Sequence, residues 1–459
     1  MKRTLIVMAL LAVAAVAVAI AYQSAARESD YRKLIARGDT ALAADQTFAA
    51  IEDYSGAIGL RPDSMLARLR RGETYRERGD LENASRDFRA AAALDPTATR
   101  PLEQLGDALY QQQRYKAAVE AYEARLRLDD RSALTRYKIG LAHYRDRNLD
   151  AALIALAQAT RQDDQLADAH YLMGVCLKEK SRPDDAVTEL QRAIQLSPGL
   201  MAAREELAEL YATLGRRTEE IEQLQVLAGL DGRIERRMAV GLAHARAGQA
   251  DLAVLTLGSA IEQSPDQPLL YGALGRVWLE MAETRRDRPD AIGKALEALE
   301  RAASSPTATS DVKTLYGRAL LDDHQFDAAE QVLQQATERF PVDPSAFAEL
   351  AGVAERLKHL DIARNALVSY NALVGDDAGF AERALKIGVL SIALDEPQTA
   401  IGWLLRASTA SPSDARILAS LAEAQFKAGN LEAAQETMSR ALQLDPENAQ
   451  LRALARRLS

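Results

Sequence analysis

A small residue that returns about every 34 residues is the feature of this sequence that most constrains its fold. The first six members of the series are Gly38, Gly72, Gly106, Gly140, Gly174 and Ala208, and the next six are Gly241, Gly275, Gly317, Ala351, Gly388 and Ala422. A second landmark follows each of these residues, and it is alanine in eleven of the twelve units, with Glu220 as the exception. A period of this length predicts a row of similar supersecondary units that bury their apolar sides against one another.

The unit from Met65 to Ala98 predicts a pair of antiparallel helices. Its apolar residues fall on two helical stripes with a break at Gly79 and Asp80 between them, and Pro96 ends the second stripe. With Met65 as position 1, the small residue stands at position 8, the alanine at position 20 and Phe88 at position 24. Helices whose axes lie about 8–10 Å apart need small side chains where the backbones approach and large ones beside them. Each unit is therefore expected to close as a helical hairpin.

This hairpin resembles the tetratricopeptide repeat, whose period is about 34 residues. Proline at position 32 in seven of the twelve units adds to the resemblance, which extends from Tyr31 to about Asn448. It implies an all-α protein: an α-solenoid of about twelve helical hairpins that forms a right-handed superhelix, preceded by an N-terminal apolar helix.

The landmarks also divide the chain into segments. Eight extra residues lie between Trp278 and Ala295 in the eighth unit, where we expect the first helix to run past Glu283 and Pro289 to begin the second. We assign residues 1–30 to a signal anchor or signal peptide with a short linker, 31–267 to units one to seven and 268–309 to unit eight with its insertion. We assign residues 310–448 to units nine to twelve and residues 449–459 to a helix that caps the last repeat.

The N-terminus carries an uncharged apolar run from Thr4 to Tyr22 behind Lys2 and Arg3. At about 1.5 Å per residue it spans nearly the hydrocarbon core of a bilayer, so it is expected to anchor the chain in a membrane through residues 4–22. Small residues around Ala19 also offer sites for signal cleavage, and the alternative is a secreted protein. The basic start favours export of the repeat domain to the periplasmic or extracytoplasmic side, whereas basic residues after the run leave a cytosol-facing domain as the other alternative.

The sequence offers no recognisable catalytic chemistry. It contains no phosphate-binding loop, no dinucleotide fingerprint, no His-Glu-x-x-His motif and no nucleophile elbow. The single Cys176 excludes an internal disulfide and is expected to be a buried, inert thiol. The five histidines fall on repeat landmarks and the paired aspartates on helix ends, so we predict packing and capping roles and no metal site or cofactor. A net charge of -9 argues against nucleic acid as a partner.

The resemblance also points to a partner site, because positions 2, 5, 9, 12 and 13 of the first helix line the inner groove in this family. Units three to five place tyrosine there most often, and tyrosine joins a broad apolar face to a polar tip. The predicted groove residues are Asp107, Tyr110, Tyr137, Leu141, Tyr144, Arg145, Tyr171, Val175 and Lys178. The alternative is that these rings only pack on the adjacent hairpin.

From these features the sequence predicts a protein that is not an enzyme and binds no small-molecule substrate. We expect a scaffold, anchored in a membrane or exported, that binds segments of other proteins in its groove. A bacterial envelope assembly for secretion, polysaccharide or outer-membrane synthesis would be a suitable setting. The alternative is a cytosol-facing, membrane-tethered adaptor that recruits or regulates an enzyme.

Overall fold

The computed structural model describes residues 2–284 and 288–458, and in this part of the chain it contains 25 helices and no strand. The fold forms two compact units, Met1–Gln223 and Leu224–Ser459, with the division inside one helix. The helices of the first unit are α1 (Lys2–Ala43), α2 (Thr47–Leu60), α3 (Met65–Glu77), α4 (Leu81–Leu94), α5 (Thr99–Gln111), α6 (Tyr115–Leu128), α7 (Ala133–Arg145), α8 (Leu149–Gln162), α9 (Ala167–Glu179), α10 (Pro183–Leu196) and α11 (Met201–Thr213), and α12 (Arg217–Leu230) crosses the division.

The second unit continues the same alternation of short helices. Its helices are α13 (Ile234–Arg246), α14 (Ala250–Gln263), α15 (Pro268–Thr284), α16 (Ala291–Ala303), α17 (Ser310–Asp322), α18 (Phe326–Thr337), α19 (Pro344–Leu357), α20 (Leu360–Val374), α21 (Phe380–Ala393), α22 (Pro397–Ala410), α23 (Ala415–Lys427), α24 (Leu431–Leu444) and α25 (Ala449–Leu458). The predicted α-solenoid of about twelve hairpins is confirmed: each odd-numbered helix to α23 is the first helix of a hairpin and the next is its second. The N-terminal apolar helix is confirmed as the first part of α1.

The hairpins close around a glycine and a large residue sixteen positions later. A Cβ atom built on Gly106 would lie 2.4 Å from Cε1 of Tyr122, and one built on Gly72 would lie 2.7 Å from Cε1 of Phe88. Such distances are well inside van der Waals contact, so only glycine leaves room for the ring. The recurring small residue of the sequence is therefore the point where the two helices of a hairpin come closest.

Alanine takes the place of the glycine only in units where the large partner is aliphatic. The aromatic rings of Tyr54, Phe88 and Tyr122 each lie against a glycine. Leucine also lies against a glycine in several units, as Leu156 does against Gly140. Position 8 is alanine in the sixth, tenth and twelfth units, where position 24 is Leu224, Leu367 and Met438, and the last two belong to the same buried cluster as that alanine. An aliphatic side chain can move aside for one methyl group more readily than a ring can.

The eight-residue insertion changes the helix ends but preserves this contact. Helix α15 has 17 residues and runs one residue past Glu283, and a Cβ on Gly275 would lie 2.5 Å from Cγ of Leu299. Pro289 is not the first residue of the second helix. The residue that precedes α16 is Asp290, whose carbonyl oxygen accepts a 3.2 Å hydrogen bond from the backbone N–H of Lys294, so Pro289 stays in the turn. Residues 285–287 of the insertion lie outside the described residues.

Both ends of the repeat array are helical. The polar residues 23–30, expected to form a linker, continue α1 without a break into the first hairpin. Tyr31 is buried there, and its hydroxyl lies 2.7 Å from the hydroxyl of Ser64 at the start of the next hairpin. At the other end, Leu451 of α25 is buried in a cluster with Met438 and Ala441 of the last hairpin.

Candidate partner-binding surface

First helices of neighbouring hairpins lie next to one another within each unit. They contact each other in pairs such as α3 with α5 and α7 with α9 in the first unit, and α13 with α15 or α17 with α19 in the second. We call the surface that they form the first-helix surface. All of the predicted groove residues lie on first helices of the first unit, on α5, α7 and α9.

The predicted tyrosines are half-buried, and they pack as well as face solvent. Tyr137, Leu141 and Tyr144 lie together against a buried cluster that includes Leu156 and Leu172. The predicted Tyr171 and Tyr110 pack in the same way on the clusters of their own neighbours. The structure therefore brings the two rings of α7 into one patch. Packing on the adjacent hairpin accounts for the buried part of each ring.

The hydroxyl groups of two of these tyrosines, Tyr110 and Tyr144, form hydrogen bonds with the next repeat. The hydroxyl of Tyr144 donates a 2.9 Å hydrogen bond to Oε1 of Glu179, and Nε of Arg145 donates a 3.3 Å bond to the hydroxyl of Tyr110. Burial and the bond to Glu179 raise the pKa of Tyr144 to about 12, so this phenol stays protonated at neutral pH. These bonds fix the orientation of the two rings.

Two of the three predicted charged residues, Asp107 and Lys178, are held by ion pairs. Asp107 accepts a 2.7 Å bond from the hydroxyl of Tyr122, and Nζ of Lys138 lies 2.9 Å from Oδ1 of Asp107. Lys178 lies 2.7 Å from Glu206 of the sixth hairpin. The sequence analysis missed Lys138 because position 6 is not among the groove positions taken from the family. Its separation of 31 residues from Asp107, close to one period, was the available signal.

The remaining reactive side chains have structural surroundings. Burial raises the pKa of the Cys176 thiol to about 12, which confirms the prediction of a buried cysteine of low reactivity. His170 and His244 are buried, with side-chain oxygens of Glu189 and Gln249 each 2.7 Å from a ring nitrogen. Among the described residues there is no group of three or more His, Cys, Asp or Glu side chains that could hold a metal ion.

One helix in the described part of the chain is long and apolar enough to cross a membrane, judged by length and composition. It covers Leu10–Ala43 within α1, and a signal sequence near the N-terminus would meet the same criteria. The large apolar side chains in the first part of this segment, including Leu11, Val16 and Val18, are exposed.

A solenoid of small-residue hairpins whose first helices lie side by side within each unit defines a class of helical repeat proteins. Family models described as tetratricopeptide repeat match residues 35–99, 137–201, 171–232 and 316–373, and another of the same description matches 391–458. A model described as TPR repeat matches 106–146. The chain belongs to the tetratricopeptide repeat family, whose members are in general non-catalytic scaffolds that bind proteins or peptides.

Solved structures share parts of this architecture. MamA is 25% identical and aligns with 35% of this chain and 94% of its own, at a TM-score of 0.34. YrrB, a TPR protein with a peptide-binding site, is 20% identical over 41% of this chain and 96% of its own, at 0.35. A tetratricopeptide repeat protein from Parabacteroides merdae is 15% identical over 54% of this chain and 99% of its own, at 0.40. No curated protein matches the chain significantly.

Proposed function

We propose that this protein is a membrane-anchored scaffold whose repeats bind segments of partner proteins on the first-helix surface. In this proposal the repeat domain lies on the extracytoplasmic side, where it organises an envelope assembly such as secretion, polysaccharide or outer-membrane machinery. The observation that carries the proposal is the continuity of α1, which joins an exposed apolar segment to the first hairpin within one helix.

The exposed side of α1 supports an anchor. Leu10, Val13 and Ile20 are each more than 60% exposed, and a soluble domain does not keep such a run of large apolar side chains in water. Nine residues separate Tyr22, at the end of the run, from the buried Tyr31, which is about 13 Å of helix. An uncleaved α1 would therefore hold the first hairpin close to the lipid headgroups.

Signal cleavage would have a different consequence. A cut near Ala19 would remove most of the apolar segment and leave the contacts of Tyr31 in place, so a secreted repeat domain could also fold. The apolar run exceeds the 7–15 residues of a usual signal core, and this favours an anchor that stays attached. The mass of the mature N-terminus distinguishes the two forms.

The arrangement of the α7 and α9 tyrosines supports partner binding by the first unit. Their rings are held by packing, and that of Tyr144 also by a hydrogen bond to the next hairpin, yet they remain partly exposed. Rigid aromatic residues lose little entropy on binding and are frequent anchors at interfaces. The proposed surface is formed by Tyr110, Tyr137, Leu141, Tyr144, Tyr171 and Val175, with Asp107, Arg145 and Lys178 beside them.

The side of the membrane is tested by reporters fused after Ser459. Alkaline phosphatase is active only after export, and green fluorescent protein fluoresces best in the cytosol. We expect an active phosphatase fusion and a dark fluorescent fusion in the host, both in the membrane fraction. The opposite pattern would contradict export and would support the cytosol-facing adaptor.

A further inference from the structure

A groove of 440 Å³ lies between the second helices α12 and α14, and residues of α13 also line it. We call it the α12–α14 groove. The residues of α12 that line it, Gln225 and Ala228, belong to the second unit. Apolar side chains such as Leu255 and Ala260 line it together with one basic side chain, Arg237. All of the predicted groove residues lie on first helices of the first unit, so the α12–α14 groove is a separate feature of the chain.

Position 4 of the first helix, where Arg237 stands, is basic in six of the twelve units. In the second, fourth and sixth units an arginine there donates a hydrogen bond to the backbone carbonyl group six residues earlier. These bonds join Nη2 of Arg68 to Pro62 at 3.2 Å, Nε of Arg204 to Pro198 at 2.9 Å, and Arg136 to Asp130. Two others contact side-chain oxygens of their own second helices, as Nζ of Lys313 does with Gln335 at 2.8 Å and His170 with Glu189 at 2.7 Å. Five of the six basic residues therefore have a partner within the chain.

Arg237 is the sixth, and it follows a shorter connection. Residues 231–233 join α12 to α13, whereas the connections before α3 and α11 have one residue more and consist of residues 61–64 and 197–200. Nη2 of Arg237 lies 3.3 Å from the position of a Cβ on Gly232, so the guanidinium group lies beside this connection. Among the described residues, the side chain of Arg237 has no hydrogen-bond or ion-pair partner.

Acidic side chains that are close in sequence do not neutralise Arg237. Asp231 accepts hydrogen bonds from Arg233 and Arg236. Glu235 lies two residues before Arg237 on α13, and side chains at that spacing do not face each other. Within the described part of the chain, the guanidinium group of Arg237 is therefore an unmatched positive charge at the groove.

Side chains of α14 add hydrogen-bonding groups beside Arg237. In the fourth and ninth units the cation at position 4 contacts position 30 or 26 of the second helix, and these positions are Gln263 and Ser259 here. Oγ of Ser259 accepts a 3.4 Å hydrogen bond from Nε2 of Gln263, so its own O–H can donate to a ligand. A guanidinium fork beside a hydroxyl group matches a carboxylate, whose two oxygens accept such bonds.

This end of α14 is remote from the point where the described chain resumes after Thr284. Arg288 lies 2.6 Å from Asp251, which is in the first turn of α14. Asp251 is twelve residues from Gln263, or about 18 Å along the helix. Arg288 therefore stands at the end of α14 opposite to Arg237.

The other end of the lined part of α14 is apolar. Leu255 is 67% exposed, and Leu252, one turn earlier on the same face, is 46% exposed. From Leu255 to Gln263 the helix rises about 12 Å. An extended chain covers about 3.6 Å with three atoms, so about ten atoms in a row cover this length.

We propose that the α12–α14 groove binds a free medium-chain fatty acid of about eight to ten carbon atoms. The carboxylate lies on Arg237 and the alkyl chain on Leu255, where it covers apolar surface that the protein leaves in water. A single acid group joined to an alkyl chain matches one unmatched cation at one end of the groove and an exposed leucine at the other. The proposal uses neither the membrane anchor nor the first-helix surface, so its failure would leave the proposed function standing.

The proposal is tested by equilibrium dialysis of radiolabelled octanoate against the full chain in lipid nanodiscs, with empty nanodiscs as the background. We expect saturable binding of one octanoate per chain. Unlabelled hexanoate should compete about tenfold more weakly, because it buries about two fewer methylene groups. Acetate, which has the carboxylate without the chain, should not compete at the same concentrations.

Variants separate the two parts of the groove. Arg237→Gln should weaken octanoate binding at least about tenfold, and Arg237→Lys, which keeps the charge but loses the fork, about threefold to fivefold. Leu255→Ser should weaken it about fivefold, because apolar contact is lost while the charge remains. The matched controls occupy the same repeat positions in other units: Arg204→Gln at position 4, and Ile154→Ser at position 22, where Ile154 is 62% exposed. Each control should change binding less than about twofold.

Three results would overturn the proposal. One is the absence of saturable octanoate binding above the background. Another is competition by acetate as strong as that by hexanoate, since a carboxylate of a partner protein would need no alkyl chain. The third is equal loss of binding in the test and control variants, with circular dichroism spectra that show all five variants to be folded.

Discussion

Truncation of Phe88 to alanine is expected to lower the stability of the second hairpin by about 3–5 kcal/mol. The ring is fully buried between α3 and α4 and lies against Gly72, so its removal leaves a cavity at the closest point of the two helices. Hydrogen exchange of the α3 and α4 amides measures this change locally, which is necessary because repeat arrays can unfold in parts.

The partner variant Gly72→Ala shows whether the two residues act through one contact. Alone it should destabilise, because its Cβ would lie 2.7 and 2.9 Å from two atoms of the Phe88 ring. In combination with Phe88→Ala the added methyl group has room. The double variant should therefore be destabilised by less than the sum of the two single variants. The control is Gly59→Ala on α2, where a Cβ meets no atom within 4 Å and better helix propensity should stabilise slightly. Strict additivity at Gly72 and Phe88 would contradict this account of hairpin closure.

Two charges in the apolar part of α1 should release the protein from the membrane. An arginine at the centre of a spanning helix costs about 2.5–3.5 kcal/mol, so Leu11→Arg with Val16→Arg should cost about 6 kcal/mol. We expect the wild-type protein in the membrane fraction after carbonate washing and the double variant in the soluble fraction.

The matched control for this variant lies on the same helix just beyond the apolar run. Ser24→Arg with Ala25→Arg adds the same charge where the headgroups would lie, and it should leave the protein in the membrane. A wild-type chain that is soluble, with an N-terminus that begins near residue 20, would contradict the anchor and support signal cleavage.

Periodicity made most of the fold predictable from the sequence. The position-8 glycines and position-20 alanines mark the contacts between helices, so the hairpins and their order follow from counting. Helix ends in the insertion were less predictable, because Asp290 competes with Pro289 for the start of α16 and sequence spacing does not decide between them. The unbroken course of α1 through residues 23–30 was missed because their polar composition resembles a linker.

The surface was less predictable than the fold. The sequence placed Tyr137, Leu141 and Tyr144 on one helix face, but the hydrogen bond from Tyr144 to Glu179 of the next hairpin depends on how neighbouring first helices are offset. A depression of 360 Å³ beside Gly272 is formed by side chains of three helices, α13, α15 and α17, in three units. No single-unit pattern reveals it, because the missing side chain matters only beside Leu269 and Val312.

The central claim, that partners meet the first-helix surface, is tested most directly by site-specific photocrosslinking of the full chain in host membranes. A photoreactive phenylalanine derivative replaces Tyr144 or Tyr171 in separate variants, and Ile154 in the control, since Ile154 is 62% exposed on the second helix α8. We predict adducts of the same partner mass from Tyr144 and Tyr171 and none from Ile154. Adducts from Ile154 with none from either tyrosine position would contradict the claim.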